Sequence, residues 1–147
     1  MSRLLYLPMF HAAIVPIGHT TPLKDGSRAY VMRRFDIEQF LSSVQKFRIT
    51  ELVIVPPIVL TVLASPLTKQ YNLTSVKTAL CGAAALGRVQ QAEFSLLLAP
   101  DACFNQVWGM TETSCIASRF WWPEKDDTGS IGRFISNLDV KYDYPPR

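Results

Sequence analysis

The sequence predicts an α/β fold built on a largely parallel sheet, and three features carry that prediction. Short apolar or β-branched runs alternate with stretches whose apolar residues recur at helical spacing. The runs are mostly apolar, as strands buried on both faces require. Two of them lead directly into loops of small or mixed polar residues, the position where open α/β sheets bind their ligands.

Residues 4–7 and 29–32 are the first two expected strands. Asp36 then opens a helix in which Ile37, Phe40, Leu41, Val44 and Phe47 share one face. Asp36 can cap this helix, and Gln39, three residues on, can reach back to it. Residues 51–55 form a strand stopped by Pro56 and Pro57. Proline is tolerated in a first helical turn, so a helix over 58–64 follows. Residues 76–81 are a further strand, succeeded by a small-residue loop over 82–87 and a helix through Leu98. Residues 103–107 form a strand that runs into the loop 108–112, and a last strand is expected over 138–142. No repeat or linker interrupts the 147 residues.

Composition narrows the function classes. Fifteen basic against twelve acidic residues leave a net charge of +3, and the basic residues are scattered, so nothing argues for a nucleic-acid surface. The longest apolar stretch, 52–64, is interrupted by two prolines and falls short of the ~20 residues of a membrane span. Pro8 and His11 break the apolar run at the start before a signal-peptide core completes. Cys81, Cys103 and Cys115 have neither metal-ligand spacing nor an even count, and read as free thiols in a reducing compartment. An intracellular location, cytoplasmic or peroxisomal, is expected.

Two loops have the residues for chemistry. The first, 81–87 (Cys-Gly-Ala-Ala-Ala-Leu-Gly), would let a flat group lie against its backbone, although close helix–strand packing explains the same small residues. The second, 105–113, gathers an aromatic, a hydroxyl and a carboxylate at Trp108, Thr111 and Glu112, with Gly109 among them to relax the backbone. Such a set suits a nucleotide: a face for the base, a donor for phosphate, a carboxylate for Mg²⁺. A polar turn with Trp108 as core filler is the alternative that spacing leaves open.

The run 106–112, Gln-Val-Trp-Gly-Met-Thr-Glu, resembles the Q-G-Y-G-M-T-E motif of adenylate-forming (AMP-binding) enzymes, specifically 4-coumarate-CoA-ligase-like and fungal acyl-CoA ligases. Other segments resemble the same family in order. These are Leu-Pro-Met-Phe-His at 7–11, the strand 30–35 ending in Arg34 and Phe35, Val-Pro-Pro-Ile-Val at 55–59, the loop 81–87, and 127–133 with Asn137 and Lys141. The resemblance implies a partial nucleotide-binding domain, mostly parallel sheet with flanking helices. Residues 1–143 would be the central part of the AMP-binding N-terminal domain, and 144–147 a divergent tail.

The resemblance also implies roles. Trp108 would pack on adenine opposite the backbone of Gly82, Ala83 and Ala84, with Gln106 and Gly109 lining the adenylate. Thr111 would contact phosphate and Glu112 would hold Mg²⁺. His11 would stand at the entrance of the acyl pocket, and Arg34 near the phosphates of coenzyme A. ATP (bound finally as AMP), Mg²⁺ and coenzyme A are the implied cofactors, and a carboxylic acid the substrate. Relatives that accept hydroxylated cinnamates place a tyrosine where Ala13 stands and a serine where Ile17 stands. With Val107 in place of a glycine, the implied acid is apolar.

This sequence departs from the family pattern at Cys81, Ala85, Val107 and Trp108, where serine, proline, glycine and tyrosine are usual. It contains no Ser/Thr/Gly-rich phosphate loop ending in Lys-Gly, no Y-x-T-G-D segment and no counterpart of the C-terminal domain with its lysine. The expectation is therefore a piece of an acyl-CoA ligase, inactive alone. Two other readings are a non-catalytic nucleotide- or acyl-binding protein, or subunit paired with a complementary chain, and part of an adenylation domain that loads a carrier protein.

Overall fold

The computed structural model describes residues 1–141. Five strands lie in one parallel sheet in the order β2-β1-β3-β4-β5. They are β1 (Ser2–Leu5), β2 (Arg28–Val31), β3 (Glu51–Ile54), β4 (Thr78–Cys81) and β5 (Cys103–Gln106). Because every pair is parallel, all five carboxyl ends emerge on one edge, and the segments that follow them form that edge.

The strands alternate about the sheet as their two-residue period demands. Leu4, Tyr6, Leu52, Ile54, Ala79, Cys81 and Phe104 belong to one continuous core with the helices α2 (Ile37–Lys46), α3 (Pro56–Ala64) and α4 (Arg88–Ser95). Phe40, Leu41 and Val44 of α2 are fully buried, each worth ~1.5–3 kcal/mol relative to exposure. Phe40 also meets Tyr6 edge to face at 5.0 Å. Asp36 accepts a hydrogen bond from the Gln39 backbone at 2.9 Å, so its half of the expected reciprocal cap forms. Val55 is extended before the two prolines, as a residue preceding proline must be, and α3 begins on Pro56 itself.

The opposite face is covered at its two ends. A segment absent from the expected elements, a π-helical turn Pro16–Thr20 followed by α1 (Thr21–Asp25), packs near β1. A Cβ on Gly18 would stand 3.5 Å from Leu5 Cδ1. At the other end, loop 123–126 covers β5. Asn105 Nδ2 donates to Glu124 O at 2.8 Å, and Asn105 Oδ1 accepts from Asp126 N at 3.0 Å.

A second, antiparallel sheet of order β6-β7-β8 was also not expected. It comprises β6 (Trp108–Met110), β7 (Cys115–Arg119) and β8 (Arg133–Phe134). The expected strand at 138–142 does not form over its described part, 138–141; Tyr142 and the proposed tail 144–147 lie outside the described residues. The expected helix through Leu98 ends at Ser95, where Leu97 and Leu98 turn back through bonds to Phe94 and Ser95.

Candidate active site

At the carboxyl edge of the parallel sheet lies a cavity of about 200 Å³. Three walls enclose it: the 7–14 turn after β1, the ends of β3 and β4, and the β6–β7 hairpin. Leu7, Ala13, Ile54, Val107, Met110 and Ile116 make it predominantly apolar. An engineered cavity of about 150 Å³ suffices to bind benzene, so this volume is large enough for a small acyl chain or a single ring.

His11 stands on the lining and is exposed. Its Nδ1 accepts from Ala13 N at 3.1 Å, which leaves Nε2 to carry the proton of the neutral ring. His11 N donates to Pro8 O, and His11 O accepts from Ile14 N, so the ring rides on a closed turn. Cys115 Sγ contacts Ala13 O at 3.7 Å, joining that turn to β7.

Two glycine positions are set by close approach. A Cβ on Gly109 would fall 2.0 Å from Cys115 O, because β6 and β7 cross tightly there. Beside the cavity, a Cβ on Gly82 would reach 3.0 Å from Val107 Cγ2. Ala83, next in the loop, has φ +73°, a left-handed conformation that costs a non-glycine residue about 1–2 kcal/mol.

Trp108 is 40% exposed and meets Phe134 of β8 edge to face, centroids 6.2 Å apart at 83°. Thr111 and Glu112 occupy a single 3₁₀ turn, Thr111–Thr113, and both are exposed. That turn is closed by Thr113, whose Oγ1 accepts from Met110 N at 3.2 Å. No group of three or more metal-ligating side chains occurs among the described residues. A lone exposed carboxylate nevertheless suits Mg²⁺, which is held by one or two carboxylates together with substrate phosphates.

The cavity thus unites His11, Ala13, Gly82, Ala83, Val107 and Gly109 from distant parts of the sequence. Trp108, Thr111 and Glu112 lie on the adjoining hairpin and turn. Ile17 is not brought to the cavity. It borders a separate crevice beside Arg3, Leu5 and Glu51. Arg34 is exposed on the segment after β2, an edge strand separated from β3 by β1. Gln106 is buried, its Oε1 accepting from Leu86 N at 2.8 Å and its Nε2 donating to Leu86 O at 3.0 Å. Its side chain grips the 82–87 loop from within.

Sequence reasoning missed Met110, Cys115 and Ile116 as cavity residues. They are apolar or nearly so, and only the β6–β7 pairing reveals which way they face. The cysteines are free: Cys81 and Cys103 buried, Cys115 half-buried. Burial pushes the Cys81 thiol up to about 12, so it is uncharged near neutrality.

A parallel α/β sheet with an apolar cavity at its carboxyl edge, and Trp108, Thr111 and Glu112 on the hairpin beside it, defines an α/β domain with a candidate ligand site. The family model described as AMP-binding enzyme matches residues 2–142, and the chain belongs to that family. Acyl-CoA ligase azaF of Aspergillus niger is 51% identical over 142 residues, covering 95% of this chain and 27% of its own length. 4-Coumarate–CoA ligase 4 of Arabidopsis thaliana is 31% identical over 141 residues, 94% of this chain and 25% of its own. The luciferase-like enzyme of the mealworm Zophobas morio superposes with a TM-score of 0.78 at 25% identity, over 90% of this chain and 32% of that one. O-succinylbenzoate coenzyme A synthetase of Bacillus subtilis, in complex with ATP and magnesium ion, gives 0.76 at 19% identity, over 97% and 29%. The chain spans about a quarter of the length of the curated relatives named here. No helix of the described residues is long and apolar enough to cross a membrane.

Proposed function

We propose that these residues supply the acid pocket and one wall of the adenylate site of an acyl-CoA ligase acting on an apolar carboxylic acid. The observation that supports this reading is the apolar cavity of about 200 Å³ at the carboxyl edge, with His11 on its lining and the Trp108–Glu112 segment beside it. In the reaction, a carboxylate oxygen of the acid attacks the α-phosphorus of ATP and pyrophosphate departs. The thiolate of coenzyme A then attacks the acyl carbon and AMP departs.

The roles follow from placement and chemistry. The cavity takes the acyl group, with Ala13 and Val107 in its wall. His11, with the proton on Nε2, offers a donor at that wall to a carboxylate oxygen. Trp108 presents an aromatic face to adenine, and the Gly82–Ala84 backbone the opposite one. Thr111 donates its hydroxyl to a phosphate oxygen. Glu112 would hold the magnesium ion, which when bound neutralises phosphate charge. Arg34 would meet the phosphates of coenzyme A. Positioning and fixed charge are the main contributions of such a site.

In this proposal residues 1–143 are the central part of the AMP-binding N-terminal domain, and sequence beyond them supplies the phosphate loop and the C-terminal domain. The test is a completed ligase in which residues 1–141 replace the matching segment of the Aspergillus niger relative. Acid-dependent ATP–pyrophosphate exchange is expected with medium-chain or branched aliphatic acids, exceeding that with 4-coumarate. One methylene is worth ~1–3 kcal/mol in such pockets, so the preference is graded. A folded chimera that turns over 4-coumarate best would refute the apolar reading, and one with no exchange would refute the site.

A further inference from the structure

We propose that Gln91 is a positioning residue for the adenine-facing loop 82–87, acting through Gln106; the inference rests on the adenylate reading above. Gln91 lies in α4 and is only 4% exposed, unusual for a side chain that prefers water. Its Oε1 accepts from Gln106 Nε2 at 3.0 Å. Its Nε2 donates to Phe104 O at 3.0 Å and to Asp126 O at 2.9 Å. Gln106 completes the chain by holding both backbone polar atoms of Leu86.

The direction of this relay is fixed from its ends. Leu86 N can only donate, so Gln106 must turn Oε1 toward it and Nε2 toward Leu86 O and Gln91. Gln91 must then present Oε1 to Gln106, and its Nε2 meets two carbonyls that can only accept. One orientation satisfies every group, and no buried side-chain nitrogen or oxygen lacks a partner among the described residues. Two carboxamides thereby tie together the 82–87 loop, β5 and the turn after Asp126.

The loop needs such a tie, since Ala83 is held at φ +73° with its side chain exposed. Gln106 lies two residues before Trp108. A grip from Gln106 to Leu86 therefore sets the loop backbone relative to the tryptophan, across the space assigned to adenine. Replacing Gln91 with an apolar side chain would strand a Gln106 N–H and two carbonyls, each costly when buried. The loop would then lose its fixed distance from Trp108.

The experiment uses the ¹⁵N-labelled 147-residue chain and its Gln91→Met variant, followed by amide exchange and by titration with AMP and, separately, hexanoate. In the variant, exchange at Leu86 N–H should accelerate at least about tenfold while Leu52 and Ile54 in β3 keep their protection. AMP-induced shifts at Gly82 and Ala83 should require about five-fold more nucleotide, since a loosened wall is less pre-organised. Hexanoate-induced shifts at Ile116 should titrate as in the parent chain. Unchanged Leu86 exchange and AMP titration would overturn the proposal, as would uniform loss of protection, which would make Gln91 an ordinary core residue. A second variant, Gln91→Glu, keeps an acceptor for Gln106 while losing the two-donor amide. It should retain Leu86 protection and loosen Gly129 and Ser130, and the reverse pattern would equally overturn the relay. If the parent chain shows no AMP shifts at Gly82 and Ala83 even at nucleotide concentrations well above millimolar, the adenylate reading fails first and takes this inference with it.

Discussion

Gly82 and Val107 face each other so closely that a β-carbon on residue 82 would stand 3.0 Å from Val107 Cγ2 and 3.4 Å from Val107 O. Both residues line the cavity, so one contact fixes its shape and constrains its sequence. Gly82→Ala should destabilise the chain by about 1–3 kcal/mol through overpacking. In a Val107→Ala background the methyl that collides is gone, and the cost should fall by at least ~0.5 kcal/mol. Urea midpoints of the four proteins in the cycle measure this coupling, and strict additivity would mean that the contact is not made.

Gly109 is constrained by backbone rather than by a side chain, which makes its substitution harsher. A Cβ there would sit 2.0 Å from Cys115 O, and a carbonyl oxygen in a ladder cannot swing aside. Gly109→Ala should cost about 3 kcal/mol or open the β6–β7 hairpin locally. Amide exchange at Ile116 and Ser118 distinguishes the two outcomes from a tolerated substitution.

Sheet and helices were legible in the sequence because burial on both faces leaves long apolar runs, and because Asp36, Pro56 and Gly87 mark helix starts. The strands 51–54, 78–81 and 103–106 fall within two residues of expectation. The small sheet was not legible. Its β6 is three residues with a central glycine, too short and too exposed for any period to show. The 16–25 helical segment was hidden by Pro16, Gly18 and Pro22, which read as breakers in isolation. The motif resemblance pointed to His11, Trp108, Thr111 and Glu112, and the structure puts His11 on the cavity lining and the other three on the adjoining hairpin and turn. Gln91 left no signal, since nothing local distinguishes its buried carboxamide from that of half-buried Gln90 beside it.

Asp126 should make the turn it opens between β7 and β8 sensitive to acid. Burial raises its carboxyl pKa, but the hydroxyl of Thr128 and the amides of Thr128, Gly129 and Ser130 lower it more, leaving it below the ordinary 3.8. A depressed folded value means the charged form favours the folded state. That contribution is complete above 3.8 and is lost as pH falls through the lower folded value. Asp126→Asn should therefore reduce stability at neutral pH, and the gap to the parent chain should narrow toward pH 2. A difference that is constant with pH would assign the effect to hydrogen-bond geometry alone.

Thr111 and Glu112 are exposed, which separates their roles from folding. Thr111→Ala and Glu112→Gln should each change stability by no more than about 0.5 kcal/mol. In the completed ligase both should lower pyrophosphate exchange, with Glu112→Gln partly rescued by raised Mg²⁺. Wild-type exchange in both variants would reduce the Thr111–Thr113 turn to a structural connection.

The 147-residue polypeptide by itself is expected to make no acyl-adenylate. The family resemblance implies four contributors: a phosphate loop, the Thr111–Glu112 turn, a ribose-binding aspartate and a C-terminal lysine. Of these motifs, the sequence contains only the turn. What remains for the nucleotide is a half-site made by Trp108 and the 82–84 backbone. Stacking of a base on an aromatic contributes ~1–3 kcal/mol. A millimolar dissociation constant corresponds to about 4.1 kcal/mol, so AMP should bind in the millimolar range or more weakly. The decisive assay is acid-dependent ATP–pyrophosphate exchange by the purified chain, with a Glu112→Ala control, alone and with cell extract. Exchange by the chain alone, above that control, would show that the missing groups are dispensable or replaced within these residues. Exchange that appears only with extract and disappears in the control would identify a complementary chain, making this polypeptide a subunit whose cavity is completed in trans.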